Sequence, residues 1–159
     1  MKEEKSQKTN VMRLLDQAGI AYIRHSYAGS GAVSGTEVAA FLGEDPERVF
    51  KTLVTVGHSG EYYVFVIPAA SELDLKKAAV SVGEKSITMI KSKELLPLTG
   101  YIHGGCSPIG MKKLFATVVD ETAILYDTIF VSAGKIGSQI ELSLSGLEQM
   151  VPLKTADLI

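Results

Sequence analysis

Val49-Phe50-Lys51-Thr52-Leu53-Val54-Thr55-Val56, then His58-Ser59-Gly60, then Tyr62-Tyr63-Val64-Phe65-Val66-Ile67, is the stretch that decides the fold. Both outer runs are rich in Val, Phe and Tyr, which favour strands, and the Ser-Gly between them is a turn signal. The stretch therefore predicts a β-hairpin of strands 49–56 and 62–67. On its C-terminal side, Asp74 caps a predicted helix from Leu75 to Val82 that Gly83 closes. A short strand over Ser86–Ile90 follows, then a helix that starts at Ser92 and that Pro97 should end. Phe115–Val119, Thr128–Val131 and Gln139–Leu142 read as further strands, with turn residues at Gly134 and Gly137, and a last helix starts near Ser145. On the N-terminal side, Asp45-Pro46 starts a single turn. Thr36 can cap a helix from Glu37 to Leu42 that Gly43 stops, and the Gly/Ser-rich segment Ala28–Gly35 reads as a loop. A strand over Ala21–His25 and a helix over Asn10–Ala18, stopped by Gly19, complete the pattern. Strands and short helices interleave irregularly and hairpin spacing recurs. That predicts an α/β (α+β) fold, a mixed, largely antiparallel, barrel-like sheet flanked by short helices rather than a doubly wound parallel sheet.

The chain has 159 residues, 46% of them hydrophobic, which fits one domain over 1–159 with a real core; residues 1–9 read as a flexible N-terminal extension. The single cysteine, Cys106, excludes an internal disulfide framework and a thiolate zinc cluster, and a reducing, cytoplasmic setting is expected. No apolar run approaches the roughly 18 residues of a spanning helix, so no membrane is expected. The net charge of −2 argues against a protein that coats DNA or long RNA. Residues 71–115 nevertheless carry seven lysines against four carboxylates, whereas 116–159 carry two against six. That asymmetry is equally a solvated surface or a local basic face suited to one end of an RNA.

Familiar catalytic signatures are missing. Gly29-Ser30-Gly31-Ala32-Val33-Ser34-Gly35 has Ser34 where a dinucleotide loop needs glycine. There is no phosphate-binding Walker loop, no H-E-x-x-H and no G-x-S-x-G elbow. His25, His58 and His103 lack metal-ligand spacing, so neither metal nor cofactor is expected. His103 and Cys106 invite a thiol nucleophile, but no third residue orients the base, and a lone cysteine commonly fills apolar space. Lys51 is more informative. On a strand it shares a face with Val49 and Leu53, so its amine either snorkels to the surface or enters a pocket holding an anion or carbonyl. Two glycine-rich segments accompany it: Thr99-Gly100-Tyr101-Ile102-His103-Gly104-Gly105-Cys106-Ser107-Pro108-Ile109-Gly110, and Ser132-Ala133-Gly134-Lys135-Ile136-Gly137. Each could bring backbone N–H groups close to an oxyanion, or could simply be a tight connection.

Taken together and in order, these segments resemble the YbaK/EbsC family of aminoacyl-tRNA deacylases. The matching positions are His25-Ser26-Tyr27, Gly35 with Glu37, Phe50-Lys51-Thr52-Leu53, Leu73-Asp74-Leu75-Lys76-Lys77, Thr99-Gly100-Tyr101, Gly104-Gly105, Ser107-Pro108, Gly110, Ser132, Gly134-Lys135 and Ile140-Glu141. The likeness spans nearly everything beyond Asn10. It implies a barrel-like editing domain related to the insertion of bacterial prolyl-tRNA synthetases, and removal of cysteine from Cys-tRNA(Pro), and in some settings from Cys-tRNA(Cys), as translation quality control. Such correction is needed because one small apolar difference gives only about 1–3 kcal/mol of discrimination between amino acids.

The resemblance also implies the site. The substrate's own thiol would attack its ester carbonyl, with no protein nucleophile, metal or cofactor. Lys51 would hold the carbonyl oxygen or the terminal nucleotide, and the backbone at Gly104, Gly105 and Ser107 would stabilise developing charge. Tyr27 would touch the terminal ribose or adenine. Ser132 and Gly134 would line the pocket, and Thr99, Gly110 and Gln139 complete the expected binding set. The implied partners are the aminoacylated tRNA acceptor end and prolyl-tRNA synthetase. Several positions depart from the family pattern: Gln139 stands in place of Asp, Ile136 of Arg, Ala133 of Gly, and His103 and Cys106 of aliphatic residues. These departures bear on amino-acid choice, leaving alanine or serine as alternative substrates. A non-catalytic module that binds tRNA ends or a synthetase, and a thiol hydrolase using Cys106 and His103, are the other classes the residues allow.

Overall fold

In the computed structural model, which describes residues 8–159, the hairpin forms the centre of the larger of two sheets. Strands β2 (Phe50–Gly57) and β3 (Tyr62–Pro68) pair antiparallel, Val54 opposite Val64 and Lys51 opposite Ile67. β4 (Ile87–Met89) joins β2 antiparallel but reaches only Thr55–Gly57. On the other side β5 (Ala116–Asp120) runs parallel to β3, and β8 (Leu153–Ala156) runs parallel to β5, giving the order β4-β2-β3-β5-β8. The second sheet, β1-β7-β6, is antiparallel throughout: β1 (Ile23–Ser26), β7 (Ser138–Leu142) and β6 (Ile129–Lys135). Among the described residues the two sheets are hydrogen-bonded to each other only at one parallel bridge, Val49 to Phe130, so the barrel tendency stops short of closure.

Strand alternation sets the two cores. Val54, Val64, Val66 and Val119 face the smaller sheet, where they meet Ile129, Val131, Ile140 and Leu142. Helix α1 (Asn10–Ala18) adds Val11, Met12 and Leu15, and α5 (Leu144–Met150) adds Leu147. On the opposite face Phe65, Ile67 and Val118 pack on Ala78 and Ala79 of α3 (Leu75–Val82) and on Leu158. Phe65 has no accessible surface, and truncating it to alanine removes about 3–5 kcal/mol. A third, small cluster places Ala39 of α2 (Gly35–Leu42) over Val49 and Phe130, the point where the sheets meet.

Several boundaries differ from expectation, for local reasons. Ser34, rather than Thr36, caps α2: its hydroxyl accepts from Glu37 N at 3.2 Å while the Glu37 carboxylate accepts from Ser34 N at 3.0 Å, a reciprocal capping box. Pro97 does not end α4 (Ser92–Thr99); the exposed proline is carried inside it, and Gly100, at φ 87°, stops the helix. The final turn holds because Thr99 Oγ1 donates to Leu95 O and Gly100 N donates to Leu96 O. β8, Leu153-Lys154-Thr155-Ala156, has no alternating apolar pattern and is not expected from the sequence. Of the extension expected over residues 1–9, residues 1–7 lie outside the described chain, and Thr9 serves as the N-cap of α1. No helix among the described residues is long and apolar enough to cross a membrane.

Candidate functional site

The sheets bridge at Val49 and Phe130 and then part, and the wedge between β2 and β6 opens into a cavity of about 490 Å³. Its wall on one side is Phe50-Lys51-Thr52-Leu53, and across the gap stand Ser132 of β6 and Gln139 of β7. The N-terminal turn of α2 covers it with Ser34, Gly35 and Val38. That close approach requires glycine at 35, since a Cβ there would lie 2.3 Å from Ala69 Cβ. The glycine loop closes another side through His103, Gly104 and Cys106, and Tyr27 and Leu95 complete the wall.

Five of the ten expected site residues thus line one cavity: Lys51, Tyr27, Gly104, Ser132 and Gln139. Lys51 is partly buried, and no hydrogen bond or ion pair engages its ammonium group among the described residues. Tyr27 is buried and fixed by its backbone, its N donating to Gly137 O at 2.9 Å. Gly104 takes φ 88°, which lets the loop turn between Val33 and Ile136; a Cβ there would sit 3.3 Å from Val33. The Gly105 amide donates to Ile102 O at 3.0 Å and closes that turn, so it is committed within the loop.

The other expected residues brace the cavity from behind. The Thr99 hydroxyl donates to Leu95 O at 2.8 Å and accepts from Tyr101 N at 3.0 Å. Ser107 is fully buried and accepts from Ile109 N at 3.2 Å. Gly110 and Gly134 both give way to Tyr101: a Cβ at either would fall within 3 Å of its ring or hydroxyl. Tyr101 donates in turn to Ile109 O, and burial pushes its phenol up to about 12.

Gln139 connects the cavity to a polar cluster that sequence reasoning missed. Oriented with its nitrogen toward Glu44, its amide donates to both carboxylate oxygens, at 3.1 and 2.8 Å. Burial pushes the Glu44 carboxyl above its ordinary range, an effect that nearby His25 partly offsets. His25 Nε2 lies 3.0 Å from Glu141 Oε1, and Thr128 Oγ1 donates to Glu141 Oε2 at 2.5 Å. Arg48 reaches the same oxygen at 3.5 Å, donates to Thr128 O at 2.9 Å and stacks 5.1 Å above Phe130. Burial alone would raise Glu141, but Thr128, His25 and Arg48 together hold it below its ordinary value. The only hint in the sequence was the matched Ile140-Glu141 and His25; nothing marked Glu44.

Cys106 lines the cavity but is 9% exposed, and burial pushes its thiol up to about 12. A neutral thiol is a poor nucleophile, and neither His103 nor any other base bonds to it among the described residues. The arrangement offers a cation unpaired among the described residues, a buried phenol and a glycine turn around a cleft sized for a small ligand. No group of three or more His, Cys, Asp or Glu among the described residues is placed to hold a metal.

A family profile for the aminoacyl-tRNA editing domain matches residues 30–150. Over 143 residues the chain is 50% identical to a protein of Enterococcus faecalis provisionally named a Cys-tRNA(Pro)/Cys-tRNA(Cys) deacylase, EbsC, covering 89% of this chain and 87% of that one. It is also 30% identical over 98 residues to the proline–tRNA ligase of Thermosipho melanesiensis, covering 62% of this chain and 17% of the ligase. Among solved structures, the hypothetical protein APE2540 superposes with a TM-score of 0.85 at 23% identity, covering 93% of this chain and 97% of the other. A protein provisionally described as a trans-editing enzyme for prolyl tRNA synthetase gives 0.80 at 24%, covering 93% and 91%. At those identities the structural likeness establishes the fold alone.

Proposed function

The chain belongs to the aminoacyl-tRNA editing domain family, and from that premise we propose that it is a trans-editing deacylase that removes cysteine from tRNA(Pro), and from tRNA(Cys) in some settings. The observation that carries this reading is Lys51, a cation without a partner among the described residues, on the wall of a cleft shared with Tyr27, Gly104 and Ser132. An uncompensated ammonium group held in a partly desolvated cleft is suited to an anion or to a carbonyl oxygen that gains charge.

In the proposed reaction the substrate's thiol sulfur attacks its own ester carbonyl. The C–O bond to the terminal ribose breaks, the thiol proton ends on the released ribose oxygen, and the resulting thiolactone hydrolyses to cysteine. Holding thiol and carbonyl in one geometry makes the attack effectively unimolecular. Lys51 stabilises the carbonyl oxygen as it becomes anionic, and Tyr27 positions the ribose. Ser132 and Gln139, which line the same cleft, take the amino-acid side chain. The acceptor end of tRNA is the partner, with prolyl-tRNA synthetase as the protein that delivers it.

The test is deacylation of Cys-, Ala-, Ser- and Pro-tRNA(Pro) by wild type and by Lys51→Ala. Release of cysteine by the wild type, lost in the variant, is expected. Faster release of alanine or serine than of cysteine would move the specificity to those amino acids. Binding of charged tRNA with no release from any of the four would replace the enzyme by a binding module.

A further inference from the structure

The wall of the cleft at Phe50–Leu53 is a sheet edge. In an antiparallel pair, alternate residues direct both N–H and C=O toward the partner strand, and those between direct both away. On β2 the parity is fixed at both ends: Ala69 N donates to Val49 O at 2.7 Å and Gly57 N to Glu61 O at 2.8 Å. The odd-numbered residues therefore bond to β3, and Phe50, Thr52, Val54 and Val56 turn their backbone groups to the other side. There β4 covers only the C-terminal half, Ile90 N reaching Val54 O at 3.4 Å, and β6 has departed after the single bridge at Val49. Among the described residues the N–H of Thr52 and the C=O groups of Phe50 and Thr52 have no partner strand, and their residues line the cavity.

Unpaired backbone polar groups in an otherwise satisfied sheet are rare when sheltered from water, because each leaves a hydrogen bond unmade. Sheet edges are commonly covered, twisted away or charged. This one is uncovered only where the cleft is. The side chains flanking it do not fill the gap: Lys51 and Thr52 leave on opposite faces, and the Thr52 hydroxyl is itself buried without a partner.

We propose that this open edge reads the base of the tRNA's terminal adenosine, an inference that rests on the deacylase reading above. Adenine presents one acceptor, N1, beside one donor, the N6 amino group. The edge presents one donor, Thr52 N–H, flanked by two acceptors, the carbonyls of Phe50 and Thr52. Thr52 N–H donates to N1, and one flanking carbonyl accepts from N6. Guanine and uracil reverse that order, with a donor where adenine accepts. The edge thus selects an acceptor–donor base, adenine or cytosine, over guanine and uracil through the main chain, while Lys51, one residue away, acts on the ester. Such placement adds the base as a fixed lever arm that positions the reacting carbonyl.

The experiment uses cysteine-charged acceptor minihelices that differ only in the last base, with wild-type protein. Purine riboside, which lacks the N6 amino group, and 1-deazaadenosine, which lacks N1, are expected to lower kcat/KM by about 3- to 10-fold each, chiefly through KM. The 7-deaza analogue, altered on the edge not read, stays within about twofold of adenosine. Equal rates for adenosine, purine riboside and 1-deazaadenosine would overturn base reading and leave the deacylase reading standing. No release from the adenosine-ended RNA would remove both. On the protein side, Thr52→Pro deletes the proposed donor without breaking a bond to β3, and it should abolish the difference between adenosine and 1-deazaadenosine; Thr52→Val, which keeps the N–H, should preserve it. If Thr52→Pro does not fold, the RNA series alone decides.

Discussion

Two charged regions lie on either side of Gln139, and they are built on opposite rules. Around Glu141 every charge is answered: His25, Thr128 and Arg48 converge on one carboxylate, and Arg48 also stacks on Phe130. In the cleft, Lys51 has no answering carboxylate among the described residues, and the adjacent sheet edge has no partner strand. The first region spends its polar groups on the fold. The second leaves them unspent beside a cavity, where only a ligand can satisfy them. The contrast predicts that substitutions in the cleft damage activity and spare stability, and that substitutions in the cluster do the reverse.

The largest effect belongs to Lys51→Ala. Loss of the group facing a developing oxyanion lowers deacylation of Cys-tRNA(Pro) by about 10²–10³-fold. Because no protein bond is lost, the denaturant midpoint should shift by no more than about 0.5 kcal/mol of stability. Parallel loss of activity and stability would place Lys51 with the structural charges and erase the contrast. The mirror experiment is Glu141→Ala, which strands Arg48 and His25. It should cost about 2–3 kcal/mol at neutral pH while deacylation per folded molecule holds within a few-fold. Its pH dependence follows from the depressed Glu141 carboxyl: the stabilisation is full above the ordinary value of 4.5 and is lost as pH falls through the lower folded value. The gap in stability between wild type and variant therefore narrows as pH falls below 4.5 and closes once the depressed folded value has been passed.

Gln139 lies on the border, and Gln139→Asp tests which side it serves. The substitution restores the residue type of the family pattern but sets a second carboxylate against Glu44, which burial already pushes upward. We expect a loss of about 2 kcal/mol at neutral pH, measured by denaturation. The sign is opposite to that of Glu141: an acid whose folded value is raised penalises the fold at high pH, so stability returns as pH falls through that raised value. Unchanged stability at neutral pH would mean that the Gln139 amide is not needed as a donor to Glu44.

The sequence made one of these regions legible and left the other dark, and the reason is physical. Strand alternation and β-branched content over 49–67 mark the hairpin because both faces of that sheet are buried in cores of their own. Lys51 breaks that apolar pattern, which makes it visible. Ser34 and Glu37 carry the capping-box spacing, a signal that outranks the nearer hydroxyl of Thr36. β8 carries no period-2 signal, because it is a partly exposed edge held by its parallel ladder to β5, Lys154 opposite Val118, rather than by an apolar face of its own. Glu44 follows Gly43 at a helix end and looks like any solvated glutamate; only the fold brings it to Gln139, almost a hundred residues later in the chain. Thr99, Ser107, Gly110 and Gly134 lie in conspicuous segments, but their conspicuousness reflects close packing around Tyr101 and the α4 terminus.

The smallest expected effect is at Cys106, and it sharpens the account of the cleft. The thiol lines the same cavity as Lys51, so position alone does not separate the two. Protonation does: burial raises the thiol to about 12, leaving it neutral at any working pH, and no base bonds to it among the described residues. A thiol held neutral by burial is a poor nucleophile. Cys106→Ala should therefore keep deacylation within about threefold, and iodoacetamide should leave the wild type active. Its pH–rate profile should show no limb that the alanine variant lacks. A profile in which Cys106→Ala is inactive while Lys51→Ala survives would move the chemistry from the cation to the thiol, and the unpaired lysine would then need another purpose.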